Sequence, residues 1–152
     1  MTILMQMSST EFEQYIDNAV KIYAQEKIES GNWTEDEAFH KSKSEYNKLL
    51  PNGVYSNNNH LFSILNEANE VIGMVWLCEK GNGSAFIYDI SIYEDYQCKG
   101  YGLRAMEEIE NKARTLGLEK IELHVFGHNT RAINLYEKLN YKATNILMSK
   151  NL

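Results

Sequence analysis

Proline is nearly absent from this 152-residue chain, with Pro51 alone, and cysteine is scarce, with only Cys78 and Cys98. So little proline leaves few enforced breaks, and punctuation falls to glycines and helix-capping residues. Two cysteines do not make a disulfide framework, which argues against a small secreted scaffold. Long apolar runs are missing as well, since nothing approaches the ~20 residues of a membrane helix. Residues 1–10 show no basic stretch leading into an apolar one, so no signal peptide is expected and a cytoplasmic location follows. Basic charge is also short: 15 Lys and Arg stand against 21 Asp and Glu, a formal net charge of −6. That balance speaks against a broad nucleic-acid-binding surface and suits a small cationic partner.

Hydrophobic residues make up 43% of the chain, enough for one real core in one domain over residues 1–152. In order, residues 3–7 read as a short strand. Thr10 and Glu13 have capping-box spacing ahead of a helix carried by Phe12, Ile16, Ala19 and Tyr23. Thr34 and Glu37 repeat the spacing and start a second helix, which Pro51-Asn52-Gly53 stops. Residues 61–65, 71–78 and 85–92 read as three strands of an antiparallel meander. Leu103, Met106, Ile109, Ala113 and Leu116 then fall at helical spacing, closed by Gly117. A strand over 121–126, a helix over 129–139 and a last strand over 141–148 complete the order β-α-α-β-β-β-α-β-α-β. The expected class is α+β, with a mixed, mostly antiparallel central sheet flanked by helices.

Between the strand ending at Ile92 and the helix at Leu103 lies Gln97-Cys98-Lys99-Gly100-Tyr101-Gly102. Glycines there let the backbone approach a ligand closely. The free N–H groups of the following helix favour an anion, with phosphate or pyrophosphate the natural occupant. Taken alone, the two glycines also read as tight-turn residues. The dinucleotide fingerprint and the NTPase phosphate loop are both excluded by spacing. Further on, Asn129 is a good helix cap, and Ala132, Leu135, Tyr136 and Leu139 form an apolar stripe that a plain core account also explains.

The pairing of this loop with Asn129-Thr130-Arg131-Ala132-Ile133-Asn134-Leu135-Tyr136-Glu137-Lys138-Leu139 resembles the GNAT superfamily of acetyl-CoA-dependent N-acetyltransferases. The likeness is strong over residues 72–149. It implies acetyl transfer from acetyl-CoA to a primary amine, a small molecule or a peptide, by direct transfer. No metal is expected, since His40, His60 and His128 show no ligand spacing with the cysteines. Charge and the lack of long apolar runs leave no nucleic-acid or membrane partner expected, and a homodimer stays open. By the resemblance, Ile92 meets the acetyl and pantetheine end through its backbone. The backbone of Gln97, Cys98, Lys99, Gly100, Tyr101, Gly102 and Leu103 cradles the pyrophosphate. Asn129 and Asn134 hold the pantetheine arm, and Tyr136 is the general acid.

The pattern departs from the family at three places. Cys98 stands where glycine is common, and Asn140 where glycine is usual. Tyr88 occupies a position where several relatives carry a glutamate base. Asp89 is the first candidate for base or amine anchor, although strict strand alternation places it on the face opposite Tyr88. His124 and a water chain are the other candidates for the base. Glu26, Glu29, Trp33 and Glu35 gather where the family borders its acceptor site. The rival readings are a non-catalytic acyl-CoA-binding regulatory module and a domain holding a different phosphate ligand.

Overall fold

The first helix shows how local chemistry sets the frame in this computed structural model, which describes residues 2–152. Strand β1 (Ile3–Gln6) leads to Ser8, which caps α1 (Ser9–Glu29). Its hydroxyl accepts the Glu11 N–H at 3.1 Å, and the Glu11 carboxylate accepts the Ser8 N–H at 3.2 Å. The cap therefore sits at Ser8 rather than at Thr10 as the spacing suggested. Both positions satisfy the capping box, but only Ser8 places Met7 and Phe12 on either side of the cap as a hydrophobic staple. Both belong to one buried cluster.

Helix α2 (Glu35–Leu49) starts after Thr34, whose N–H donates to the Glu37 carboxylate at 3.2 Å. It packs along α1 through Ala38 and Ser42, both fully buried, and the Ser42 hydroxyl donates to the Val20 carbonyl at 2.7 Å. Strands β2 (Asn59–Leu65), β3 (Val71–Gly81) and β4 (Ser84–Ile92) follow, then α3 (Tyr101–Thr115), β5 (Lys120–Leu123) and α4 (Thr130–Lys138). The sheet order is β1-β2-β3-β4-β5, antiparallel throughout except for the parallel β4–β5 pair.

Both faces of this sheet are covered, which is why β2 and β3 are apolar almost without alternation. On one face Phe62, Ile64, Val75 and Leu77 pack with Met106 and Ile109 of α3, bordered by Leu135, Tyr136 and Leu139 of α4. On the other, Leu61, Met74 and Trp76 pack with Phe12 of α1 and with Leu50 and Val54, bordered by Tyr15 and Tyr46. Successive strand residues alternate between the two clusters, as the pleat requires.

The last expected strand does not form. Residues 141–152 carry no regular secondary structure, and Ile146, Leu147 and Met148 are 77%, 100% and 86% exposed. Tyr141 is the last side chain packed against the core. A strand exists through its ladder, and the apolar composition of 146–148 supplies propensity without a partner. The strand over 121–126 is likewise shorter, pairing only through Leu123.

Gly73 lies opposite Ile92 in the β3–β4 ladder. A Cβ there would run into the Ser91 carbonyl oxygen and press on the Ile92 backbone. Gly73→Ala is expected to cost about 1–3 kcal/mol of stability through this overpacking. Urea denaturation measures it, and a loss below about 0.5 kcal/mol, the range of neutral surface changes, would contradict the close approach.

Candidate active site

Strands β4 and β5 pair from Ser84 and Lys120 to Ile87 and Leu123, and no further. Beyond that point they part around a cavity of about 160 Å³, lined among others by Asp89, Ile90, His124, Phe126, Asn129 and Tyr136. A bulge marks the same place. Trp76 pairs with Asp89 while Leu77 pairs with Ile87, so Tyr88 is an extra residue on β4. A bulge re-aims the side chains beside it. Asp89 therefore does not lie opposite Tyr88 as strict alternation required. Both face the α1/α2 side, with the Tyr88 ring 4.6 Å from that of Trp76 and the Tyr15 hydroxyl donating to Asp89 Oδ2 at 2.8 Å.

The loop ahead of α3 is built to present N–H groups. Cys98 and Gly100 are both left-handed, at φ 61° and 82°, and such alternation curls a backbone into an anion-receptive nest. The left-handed φ at Cys98 is a finding the sequence did not announce, and for a non-glycine residue it costs roughly 1–2 kcal/mol. Gly100 caps α3 with no side chain. The N–H groups of Tyr101, Gly102 and Leu103 precede the first bond into the helix, from Arg104 N–H to the Gly100 carbonyl at 3.3 Å. Gly102 faces Leu135 of α4, where an added Cβ would make ordinary contact at 3.4 Å.

Three cations surround this loop in a chain of net negative charge. The Lys99 ammonium sits 5.9 Å from the Tyr96 ring centre, and the Arg104 guanidinium 5.5 Å from that of Tyr101. Arg131 donates to the Gln97 side chain at 3.3 Å, and Gln97 in turn donates to the Ile92 carbonyl at 2.8 Å. Arg131 thus ties the second motif to the first. Neither it nor Arg104 stood out in the sequence, where each reads as an ordinary exposed helical residue. A cradle of free N–H groups ringed by three cations fits a pyrophosphate-bearing ligand such as acetyl-CoA.

Tyr136 lines the cavity from α4, half-buried. Burial first, and then the Asp89 charge, hold its phenol above the ordinary tyrosine range, so it remains a donor. A Schellman turn locks the helix end just after it. The Tyr141 N–H donates to the Tyr136 carbonyl at 2.9 Å, the Asn140 N–H to that of Glu137 at 3.0 Å, and Asn140 takes φ 67°. Asparagine supplies the left-handed residue here, as expected.

The Asp89 carboxyl lies above its usual range. Burial raises it, against the Tyr15 hydrogen bond and the Ile90 N–H. Among the described residues no basic group pairs with it. Asn129 both caps α4, accepting the Ala132 N–H at 3.2 Å, and lines the cavity. His124 is an exposed residue of that lining, edge-on to Phe126 at 5.2 Å. Asn134 is exposed and lies outside the lining. Tyr15 was missed by the sequence reading, where its only signal was a polar-tipped ring on the apolar stripe of Phe12, Ile16 and Ala19.

On the α1/α2 side a row of rings runs from Trp33 through Tyr23, Tyr46 and Trp76 to Tyr88, with successive centres 5.6, 6.0, 6.1 and 4.6 Å apart. Lys27 places its ammonium 5.5 Å from both the Tyr23 and Trp33 ring centres. The Tyr23 phenol is pushed up to about 12 by burial and then by Glu45. Glu26, Glu29 and Glu35 are exposed nearby in sequence. A larger open depression of about 480 Å³ runs along His40, Lys43, Ser44, Asn47 and Lys48. It lies on one exposed stretch of α2 and gathers no reactive constellation. Among the described residues no three His, Cys, Asp or Glu side chains are grouped to hold a metal ion, and no helix is long and apolar enough to cross a membrane.

Residues 20–141 match the Acetyltransferase (GNAT) family. Two Bacillus subtilis (strain 168) proteins, both named as uncharacterized N-acetyltransferases, are similar along nearly their whole length. YdgE is 40% identical over 149 residues, covering 96% of this chain and 95% of its own. YycN is 37% identical over 156 residues, covering 100% of both. The crystal structure of YycN matches the present fold with a TM-score of 0.90 at 35% identity, over 100% of this chain and 99% of that one. A Vibrio cholerae spermidine N-acetyltransferase in complex with CoA and spermine shares the fold at a TM-score of 0.63 and 24% identity, over 90% of this chain and 78% of its own.

A raised carboxyl has a consequence for stability. Its contribution is full below the unfolded value, about 3.9, and is lost as pH rises through the folded one. Ionised Asp89 therefore weakens the fold near neutrality. Asp89→Asn, which still accepts the Tyr15 hydroxyl, is expected to melt at a higher temperature than wild type at pH 8. The advantage should shrink toward pH 4. Thermal melts across that range test it, and a gap independent of pH would contradict the assignment.

Proposed function

The chain belongs to the acetyltransferase (GNAT) family, and from that premise we propose that it acts as one domain in the cytoplasm. Its proposed reaction moves the acetyl group of acetyl-CoA directly to the primary amine of a small-molecule or peptide acceptor. One observation carries this reading. Asp89, with no basic side chain paired to it among the described residues, and Tyr136, a phenol raised by burial, line one cavity where β4 and β5 part.

The nest over Cys98, Lys99, Gly100, Tyr101, Gly102 and Leu103 would hold the pyrophosphate, aided by Lys99, Arg104 and Arg131. The Ile92 backbone with Asn129 and Asn134 would hold the pantetheine arm. When bound, acetyl-CoA supplies an already activated thioester, so no covalent enzyme intermediate is needed. The chain contributes position and protons, and position is the larger contribution. Asp89 anchors the acceptor's ammonium and takes one proton from it, freeing the nitrogen lone pair to form the C–N bond. Tyr136 gives its proton to the departing sulfur as the C–S bond breaks and regains one from the acylated nitrogen. The net reaction releases one proton. A cationic acceptor also suits the aromatic row on the α1/α2 side, where the Lys27 ammonium already sits over two rings.

Turnover of acetyl-CoA across a panel of amines tests the proposal. Tight acetyl-CoA binding with no turnover on any amine would favour the non-catalytic binding module. Tyr136→Phe is expected to lower kcat roughly 10- to 100-fold, at or below the low end of general-acid contributions. Acetyl-CoA affinity should stay nearly intact, because the lost interaction is made in the transition state. Gly100→Asp should still fold, at a cost of about 1–2 kcal/mol for a left-handed residue other than glycine, yet lose acetyl-CoA binding in calorimetry, since it sets a carboxylate in the anion nest. Wild-type affinity in that variant would remove the nest from the cofactor site.

A further inference from the structure

We propose that Tyr15 is a positioning residue for the acyl transfer: its hydroxyl holds Asp89 through Oδ2 and so aims the carboxyl at the acceptor amine. The inference rests on the role given to Asp89 above and assigns a partner on a different element of the fold. Tyr15 and Asp89 are 74 residues apart in sequence and joined by a hydrogen bond of 2.8 Å.

The geometry makes this bond more than packing. Asp89 stands next to the bulge, where β4 no longer follows the regular pleat, so the strand alone does not fix its rotamer. A hydroxyl from α1 does so from outside the sheet. The Tyr15 ring borders the cluster of Phe12, Met74 and Trp76, which holds the donor in place. Burial and the adjacent carboxylate keep the phenol protonated far above neutrality, so it donates at every working pH.

The surroundings give the bond its consequence. Groups facing or bordering Asp89 are Tyr15 from α1, Tyr46 from α2, Tyr136 from α4 and Tyr88 on its own strand, with His124 across the cavity. None of the phenols supplies a full positive charge. A hydrogen bond to the charged form favours ionisation, and burial opposes it. Tyr15 thus holds the carboxyl lower than burial alone would, which favours its ionised form as a base.

The test compares wild type, Tyr15→Phe, Asp89→Asn and the double variant in kcat/KM for the acceptor across pH. Tyr15→Phe should move the acid limb to higher pH, with rates below the limb about tenfold lower and recovery above it. Acetyl-CoA affinity should not change. In the Asp89→Asn background, Tyr15→Phe should add less than twofold. Fluorotyrosine at position 15 keeps the shape and strengthens the donor, so it should move the limb the opposite way, and it serves if the phenylalanine variant fails to fold. An unmoved limb, or an equal loss at every pH, overturns the inference. Asp89→Asn with wild-type kinetics would instead overturn the role of Asp89 itself, so the two failures are distinguishable.

Discussion

The parting of β4 from β5 is the constraint on which the remaining structure depends. A parallel ladder that stops after four residue pairs leaves the β5-facing backbone of residues 88–92 without a strand partner. Buried backbone groups demand partners, so such an opening persists only where a ligand supplies them or solvent reaches in. The rest of the sheet is organised to tolerate it. The long β2–β3 and β3–β4 ladders and the two apolar clusters hold β4 from its other edge and from both faces. The opening is therefore a defect confined to one seam, and the sheet around it remains rigid enough to place reacting groups.

Inside that seam the protein accepts an electrostatic cost. Asp89 is buried among phenols with no lysine or arginine paired to it among the described residues, and burial raises its carboxyl. Under the proposed reaction, a built-in cation would occupy the place of the acceptor's ammonium. Sites of function commonly break a stability rule, and a buried carboxyl with no basic partner among the described residues breaks one. The Cys98 backbone is a second, with a left-handed residue other than glycine in the loop ahead of α3.

Much of this was legible in the sequence because it is local. The cap of α4, the glycine loop, the meander and the end of α3 at Gly117 each follow from residues within a few positions of one another. The bulge also left a trace: Ala85 and Ile87 keep one phase of alternation, Ile90 and Ile92 the other, and the phase break falls at Tyr88 and Asp89. Reading through it with strict alternation put Asp89 on the wrong face. The Thr10 cap failed because two boxes share the spacing and only packing of Met7 with Phe12 separates them. The strand over 141–148 failed because composition cannot specify a partner edge. The Tyr15–Asp89 bond had no local signal at all, since α1 reaches the end of β4 only through the packed fold.

The chain separates charge of opposite sign by face. The cationic loop with Lys99, Arg104 and Arg131 lies at the start of α3. The row of rings and the Asp89 carboxyl lie on the α1/α2 side. The two sides communicate through the gap beside the bulge, and Tyr136 reaches that gap from the α3/α4 face while Asp89 reaches it from the other. The helix end that fixes Tyr136 is closed by Asn140 and packed by Tyr141, whose ring centre lies 5.9 Å from that of Tyr136. That turn and the Tyr15 hydroxyl do the same work on opposite faces: each fixes one proton-carrying group from outside the sheet, so the opening between the strands need not be stiff for the two groups to stay in register.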